Sequence, residues 1–262
     1  MTVLDLSNYD ANTFDPVCMK TAGVEGIILG CQRIGIAYSM AQKARDAGLP
    51  ILGTYAYLYF AAAPSATHDA IIVAKAYGVP RVWLDVEDTS GNLPPLADRI
   101  QEVANCVQAV EDAGLQGGIY TGGWYWPDKM GNTTEFARLP LWHSAYLNGE
   151  GTPYEVRTVN YGGWTDVAVH QWTSTLDVCG RKRDANHYYL EEEMTPEERA
   201  KLDAVYAALT GGVAGVIEAW NANGNSVLVA YNETVFPHVN APAVSHRHHI
   251  DLDPFTTGGP IP

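Results

Sequence analysis

Short apolar runs alternate with helical patterns between residue 3 and about residue 175. Each run has the length of a buried strand, and several are rich in Val, Ile and Leu. Seven strands are predicted in this way, over residues 3–6, 26–31, 51–58, 81–86, 117–121, 141–146 and 167–172. The repeated order of strand then helix predicts a parallel sheet.

The clearest helical pattern lies between the fourth and fifth predicted strands. Its apolar residues recur at alternating spacings of 4 and 3, which places them on one helix face: Leu96, Ile100, Val103, Val107 and Val110. The pattern begins after two prolines and stops at Gly114, as helix ends commonly do. We therefore predict an amphipathic helix here.

The turn after the first strand helps to decide between an open sheet and a closed barrel. An open sheet that binds a nucleotide needs a glycine-rich turn there, but residues 7–10 read Ser-Asn-Tyr-Asp. A β/α barrel fits better, and its chemistry gathers at the carboxyl ends of the strands. Polar residues stand at these predicted ends: Asp5, Gln32, Asp85, Glu87, Tyr120, Tyr146 and Gln171.

The composition changes after Tyr189, so we predict a barrel over residues 1–190 and a C-terminal extension over residues 191–262. Thr195, Pro196 and Glu198 have the spacing of a capped helix start. Two β-rich runs follow and predict a hairpin, and the stretch from Pro237 reads as an extended tail. We expect this extension to form a multimer or to attach the chain to a partner.

The chain has 262 residues, a formal net charge of −14 and an isoelectric point near 4.8. This balance argues against nucleic acid as the main partner, because phosphate contacts need clustered Lys and Arg. No apolar stretch approaches the roughly 18 residues of a membrane span. The first ten residues show no signal-peptide pattern, so we expect another component to carry the protein out of a cell.

Four cysteines are spread widely along the chain and form no CxxC pair, which argues against a zinc site. Cys18, Cys31 and Cys106 lie within or beside apolar runs. We expect these three to be free, buried core residues.

Asp85 and Glu87 are the first candidates for chemistry. Residues two apart on a strand point to the same side, so both carboxyls would share one face at the barrel mouth. Two crowded carboxyls cannot both ionise easily, and one raised pKa gives a general acid beside a charged partner, as glycoside cleavage requires. The alternative is a surface acidic cluster that caps the next helix.

Further acids and aromatic residues accompany this pair. Asp5 ends the first predicted strand, and Asp184 follows the last one. The chain has 15 Tyr and 7 Trp but only 5 Phe, and polar-tipped aromatic rings suit a wet, sugar-binding groove. Core packing is the alternative for the aromatic residues near these strand ends: Tyr9, Tyr55, Tyr57, Trp124, Trp126, Trp142, Tyr146 and Trp172.

Six short motifs, taken together and in order, resemble those of the family 25 glycoside hydrolases, the Chalaropsis-type lysozymes of bacteria, fungi and phages. The resemblance covers about residues 1–190. The motifs are Leu-Asp-Leu-Ser-Asn-Tyr at 4–9, Trp-Leu-Asp-Val-Glu at 83–87, Gly-Ile-Tyr-Thr at 118–121, Leu-Trp at 141–142 with Ala-Tyr at 145–146, His-Gln-Trp-Thr-Ser at 170–174 and Asp-Ala-Asn at 184–186.

The resemblance implies an α/β fold, a modified TIM-like β/α barrel with irregular late strands. It implies cleavage of the muramic acid–glucosamine linkage of bacterial peptidoglycan, without a cofactor. Glu87 would be the general acid and base, Asp85 would assist the acetamido group of the substrate with retention, and Asp5 and Asp184 would hold the sugar. The implied substrate-binding residues are Tyr9, Tyr57, Tyr120, Trp142, Tyr146 and Gln171.

Two strand ends depart from the family pattern. Thr-Glu-Gly often follows the second strand, but residues 31–35 read Cys-Gln-Arg-Ile-Gly. The third strand usually ends in Tyr-His-Phe, but residues 55–60 read Tyr-Ala-Tyr-Leu-Tyr-Phe. These changes affect substrate subsites rather than the carboxyls, and Arg33 becomes a candidate to face a ligand anion.

His246 and His248 form an HxH pattern in the tail. It resembles the metal motif on the trimer axis of some phage tail proteins, where six imidazoles suit an octahedral transition metal. This resemblance predicts a homotrimer, phage tail partners and a place in the virion tail; release from the host cytoplasm to the cell wall is the other expected location. A solvated histidine run is the alternative.

Two functions are consistent with the whole sequence. The first is an active muramidase of phage origin, and the second is a non-catalytic sugar-binding or structural barrel of a phage tail protein. The four acids favour the enzyme, while the altered second and third strand ends favour the other. An aldolase-like barrel is disfavoured because no predicted strand end carries a Lys.

Overall fold

The structure of the protein, a computed structural model, describes residues 1–60, 63–146 and 153–190. The predictions made for residues 191–262 lie outside the described residues. These predictions are the capped helix, the hairpin, the tail and the metal at His246 and His248, and the boundary at residue 190 also stays a prediction.

The described residues form a closed barrel in which each strand pairs with the next and the last with the first. Its strands are β1 (Thr2–Leu6), β2 (Gly26–Gly30), β3 (Ile51–Tyr57), β4 (Arg81–Asp85), β5 (Gln116–Thr121), β6 (Leu141–Ser144), β7 (Val169–Val178) and β8 (Arg181–Tyr188). The helices are α1 (Pro16–Thr21), α2 (Ile34–Asp46), α3 (Ala63–Tyr77), α4 (Leu96–Asp112) and α5 (Trp126–Lys129), with a 3₁₀ helix at Asn8–Thr13. The predicted modified β/α barrel is confirmed.

The last strand corrects the sequence-based topology. Strands β1 to β7 pair in parallel, but β8 pairs antiparallel with both β7 and β1. Strand β8 was not predicted, and Asp184 was expected after the last strand, whereas Asp184 lies within β8. The strand begins Arg-Lys-Arg-Asp, so it has no apolar run to indicate it.

Helix α4 matches its predicted face. Val103, Val107 and Val110 are buried, and the turn after the helix places Gly114 at φ +74. This left-handed conformation favours glycine and ends the helix. Leu96, at the first position, is an exception to the predicted stripe because its side chain is exposed.

The barrel interior is a second apolar layer inside the strands. Trp83 and Trp142 meet there edge to face with ring centroids 5.6 Å apart. Gly118, on the neighbouring strand, lies so close to the Trp83 ring that a Cβ atom would overlap it. This packed layer lies beneath the mouth of the barrel and supports the groove described below.

The expectation for Cys18 was wrong. Cys18, in α1, forms a disulfide with Cys179, in the turn between β7 and β8, across 161 residues of sequence. Cys31 and Cys106 are free and buried, as expected. The sequence could not indicate the pairing because only the closed barrel brings the two ends together.

Candidate active site

A cavity of about 360 Å³ lies where the carboxyl ends of the strands meet. All four predicted acids line it, together with residues from the loops after β1, β2, β3 and β4. The lining residues are Asp5, Ser7, Asn8, Tyr9, Gln32, Arg33, Tyr55, Tyr57, Tyr59, Asp85, Glu87, Tyr120, Trp142, Gln171 and Asp184. We call this cavity the acidic groove.

Among the four predicted acids, Asp5 accepts the most hydrogen bonds from neutral side chains. Its Oδ1 accepts from Asn186 Nδ2 at 2.8 Å and from Gln171 Nε2 at 3.0 Å. Burial raises the pKa of Asp5, and the two amides act against this rise. Asp5 is therefore the carboxyl with the best stabilised ionised form.

Asp85 is the last residue of β4 and is buried at the base of the groove. Its Oδ1 is buried and has no hydrogen-bond partner among the described residues. Burial, followed by the charges of Glu87 and Asp5, raises the pKa of Asp85 well above its usual range. An isolated, buried carboxyl favours its neutral form in this way.

Glu87 lies two residues beyond Asp85 and lines the same groove, as the alternation of side chains predicted. It is half-buried. Burial and the charge of Asp5 raise the pKa of Glu87 to about 7, although the Tyr120 hydroxyl opposes the rise. A carboxyl with this pKa holds a proton in a large fraction of molecules at neutral pH.

Asp184 faces Asp5 across the β1–β8 pair. Burial and the charges of Asp5 and Asp10 raise the pKa of Asp184 to about 8. One raised pKa beside a charged partner was predicted for the pair Asp85 and Glu87, but burial raises the pKa of all four acids. The groove therefore carries fewer than four negative charges at neutral pH.

Two predicted substrate-binding residues that line the groove are almost completely buried. Gln171 is 2% exposed, and its Oε1 accepts from the Tyr120 and Tyr146 hydroxyls at 2.8 and 2.6 Å. Trp142 is 1% exposed and donates from Nε1 to Asn186 Oδ1 at 2.7 Å. Both side chains take part in the hydrogen-bond network around Asp5, Gln171 directly and Trp142 through Asn186.

Other predicted aromatic residues do reach the surface. Tyr9 is 88% exposed and Tyr146 is 44% exposed. Tyr57 is half-buried, and its ring packs on Tyr59 at 4.5 Å between centroids. Trp126 and Trp172, which the sequence placed near the mouth, belong to the core between barrel and helices.

Asn186, which is buried beside Asp5, and Tyr59, which lines the groove, were not predicted as site residues from the sequence. Asn186 donates to Asp5 and lies two residues after Asp184 on β8. The alternation of Asp184 and Asn186 would have indicated one inward face, but only if β8 had been recognised as a strand. Tyr59 follows the third strand and lines the groove.

No metal centre is found in the described part of the chain. Residues 1–60, 63–146 and 153–190 contain no group of three His, Cys, Asp or Glu side chains placed to hold a metal ion. None of the helices within these ranges is long and apolar enough to cross a membrane.

A closed β/α barrel with an acid-lined groove at the carboxyl ends of its strands has the architecture of a barrel enzyme. The family profile that matches residues 10–172, more than half of the chain, is described as Lysozyme-like protein 1. The protein belongs to the lysozyme family of glycoside hydrolases, family 25.

Individual relatives agree with this assignment. A probable family 25 lysozyme of Dictyostelium discoideum is 30% identical over 57% of this chain and 32% of its own length. A muramidase from Trichobolus zukalii shares the fold with a TM-score of 0.56 and 18% identity, over 74% of this chain and 95% of its own.

The modular Cpl-1 endolysin, solved with a peptidoglycan analogue, has a TM-score of 0.53 and 16% identity, over 74% of this chain and 55% of its own. These two structural likenesses concern the fold. The chain spans 32% to 53% of the length of the first three curated relatives that it matches.

Proposed function

We propose that this protein hydrolyses the β-1,4 linkage between N-acetylmuramic acid and N-acetylglucosamine in bacterial peptidoglycan. The observation that carries the proposal is the gathering of four acids around one open groove, where Glu87 has a pKa of about 7. Family membership and the peptidoglycan analogue bound to the similar endolysin support the same substrate.

Glu87 is the general acid and then the general base. It protonates the glycosidic oxygen as the bond to the sugar carbon breaks, and it later removes a proton from the attacking water. A half-buried carboxyl near neutral pKa suits both steps, because its proton is present at the start and readily taken back.

Asp85 assists the acetamido group of the substrate. The substrate N–H supplies the hydrogen-bond donor that Asp85 Oδ1 lacks, which favours the ionised form of this carboxyl. The acetamido oxygen then attacks the sugar carbon while the N–H proton moves to Asp85, so an oxazoline forms in place of a covalent enzyme intermediate. Water then attacks the same carbon, and the proton returns from Asp85 to nitrogen. Two displacements at one carbon give a product with retained configuration.

Asp5 and Asp184 hold the sugar and adjust the charge at the reacting pair. Asp5 acts on Glu87 and Asp85 through its charge, which raises the pKa of both. Asn186 and Gln171 position Asp5 by donating to its Oδ1. Removal of either amide would leave Asp5 less able to ionise.

The test is release of reducing sugar from purified peptidoglycan by the wild type, Glu87→Gln and Glu135→Gln. Glu135 is exposed and does not line the groove, so it is a matched control for loss of one acid. We expect turnover by the wild type and the control only. Sugar binding without turnover by the wild type at any pH would instead support a non-catalytic binding barrel.

Retention is tested separately by following the anomeric proton of the first product by NMR. Retained β-configuration before mutarotation supports participation of the acetamido group. Initial α-product contradicts it, because a single displacement by water inverts the carbon.

We further propose that residues 191–262 form the trimer predicted from His246 and His248 and attach the enzyme to phage tail proteins. The support is the HxH spacing in the sequence. A trimer in solution that dissociates on addition of chelator supports this proposal, and a monomer in the presence of added transition metal contradicts it.

A further inference from the structure

Arg33 differs from the acids that line the groove in the sign of its charge. It is the one Lys, Arg or His side chain among the described residues that line the acidic groove. It is exposed, and the ion pairs found in the described part of the chain do not include it. An arginine that shares a groove with four acids and pairs with none of them is available to a ligand.

The surroundings of Arg33 also favour an anion. Arg33 is the residue before α2, a helix of 13 residues whose N-terminus has no side-chain cap and no acid in its first turn. The free N–H groups and the helix dipole make such an end positive. Tyr9 and Asn8, in the loop after the neighbouring strand β1, also line the groove.

The groove therefore carries charges of both signs. Asp5, the acid with the best stabilised ionised form, repels an anion, whereas Arg33, in the loop after β2, attracts one. A polymer of N-acetylglucosamine offers no anion. A strand that contains muramic acid does, on the lactyl group or on the peptide joined to it.

We propose that Arg33 is a specificity-determining residue that binds a carboxylate on the side branch of the muramic acid unit. This inference rests on the proposed function, since it concerns the same substrate. A guanidinium binds a carboxylate through two parallel N–H donors, which a Lys cannot reproduce. Arg33 would thus select peptidoglycan over uncharged amino-sugar polymers.

Four substrates separate the sources of this carboxylate. They are glycan strands with intact peptides, the same strands with amidated peptide carboxyls, peptide-free strands with a free lactyl carboxyl, and N-acetylglucosamine oligomers. Selectivity lost on amidation identifies the peptide, and selectivity kept in peptide-free strands identifies the lactyl group. Either result supports the site.

The variants are Arg33→Gln, Arg33→Lys and Lys43→Gln. Lys43 is exposed on the same helix but does not line the groove, so its substitution changes the net charge equally. We expect Arg33→Gln to raise KM for carboxylate-bearing strands about fivefold to tenfold, with a smaller change in kcat. Arg33→Lys should recover part of this loss, and added salt should weaken the preference.

Binding to the Glu87→Gln form, with and without Arg33→Gln, makes the result independent of turnover. Calorimetry with carboxylate-bearing strands should show the same fivefold to tenfold loss of affinity. Equal affinity of the two forms, or an equal loss in Lys43→Gln, overturns the assignment. Absence of wild-type turnover contradicts the proposed function but leaves this binding result to be judged by itself.

Discussion

The inner and outer faces of strands β6, β7 and β8 make an instructive comparison. On the inner face, Gln171 and Asn186 hold Asp5 at the floor of the acidic groove. On the outer face, His143, His170 and His187 lie side by side, because they are partners in the strand register. Both faces bury titratable groups, but only the inner one opens to a groove.

Burial shifts the pKa values of the two faces in opposite directions. It lowers the pKa of His143 and of His170 to about 4, and it raises the pKa of Asp184, on the inner face, to about 8. Glu87, which lines the same groove from the loop after β4, has its pKa raised to about 7. The cause is the same, since burial disfavours the charged form of any group. A shifted pKa by itself is therefore no sign of function.

Hydrogen bonds distinguish His170, the middle residue of the histidine row formed by His143, His170 and His187, from Asp85 and Glu87. His170 Nδ1 accepts from the Val156 N–H at 3.3 Å, and its Nε2 lies 3.2 Å from the Ala145 carbonyl oxygen. This arrangement needs a neutral ring with the proton on Nε2. His170 is thus hydrogen-bonded at both ring nitrogens, whereas Asp85 has an unbonded oxygen and Glu87 faces an open groove. His187 Nε2 is also buried without a hydrogen-bond partner among the described residues.

The largest expected effects come from one substitution in the acidic groove and one on the outer face of the strands. Glu87→Gln should reduce kcat about 10² to 10⁴-fold with little loss of stability, because it removes a proton donor and no packing. His170→Leu should lower the free energy of unfolding by about 1–3 kcal/mol, because it leaves the Val156 N–H without its acceptor and removes one of the two donors to the Ala145 carbonyl, the other being the Tyr154 hydroxyl. Its activity per folded molecule should stay near wild type.

Reducing-sugar assays and urea unfolding check this pair of predictions. A large activity loss in folded His170→Leu would show that the outer face contributes to catalysis. A strongly destabilised Glu87→Gln would show that the acid is structural.

The pH dependence of activity is the next largest effect. Glu87 must be protonated to act as an acid, and its pKa is about 7. We expect kcat/KM to fall about tenfold for each pH unit above this value. Assays between pH 5 and 9 on a soluble glycan check it, and a rate that stays flat to pH 9 contradicts the role of Glu87.

The pH dependence of stability should have opposite signs on the two faces. His143 and His170 each have a pKa near 4 in the folded state and 6.5 in the unfolded state. The free energy of unfolding of the protein therefore falls as the pH drops through this window, by up to about 3 kcal/mol per ring. Glu87, with its raised pKa, contributes stability below about pH 4.5 that is lost as pH rises to about 7.

Urea unfolding of the wild type and both variants between pH 4 and 7.5 separates these contributions. His170→Leu should weaken the loss of stability on acidification, and Glu87→Gln should strengthen it. The same dependence of the free energy of unfolding on pH in all three proteins would mean that folding shifts the pKa of neither group.

The smallest expected effect concerns a single hydrogen bond in the row. The Tyr161 hydroxyl lies 2.9 Å from His143 Nδ1, and both side chains are buried. Tyr161→Phe should cost about 1 kcal/mol in thermal unfolding and leave activity unaffected. A change in the pH profile of activity would instead connect the histidine row to the groove.

Local periodicity explains what could be predicted. The alternation of side chains along a strand placed Asp85 and Glu87 on one face, and the 4 and 3 spacing placed α4, because both patterns are set by neighbours in sequence. Asp184 was identified through its motif but assigned to the wrong element, since the polar start of β8 hides the strand. The burial of Gln171 depends on residues of other strands and was not foreseen, and that of Trp142 was predicted only as an alternative.

By itself, the sequence determined the order of strands and helices, the parallel part of the barrel and the identity of the acids. Only the tertiary structure decided that β8 closes the barrel antiparallel, that Asn186 supports Asp5, and that Cys18 joins Cys179. The reason is physical: a backbone period of two or 3.6 residues is visible locally, but a contact across 161 residues exists only after the chain has closed on itself.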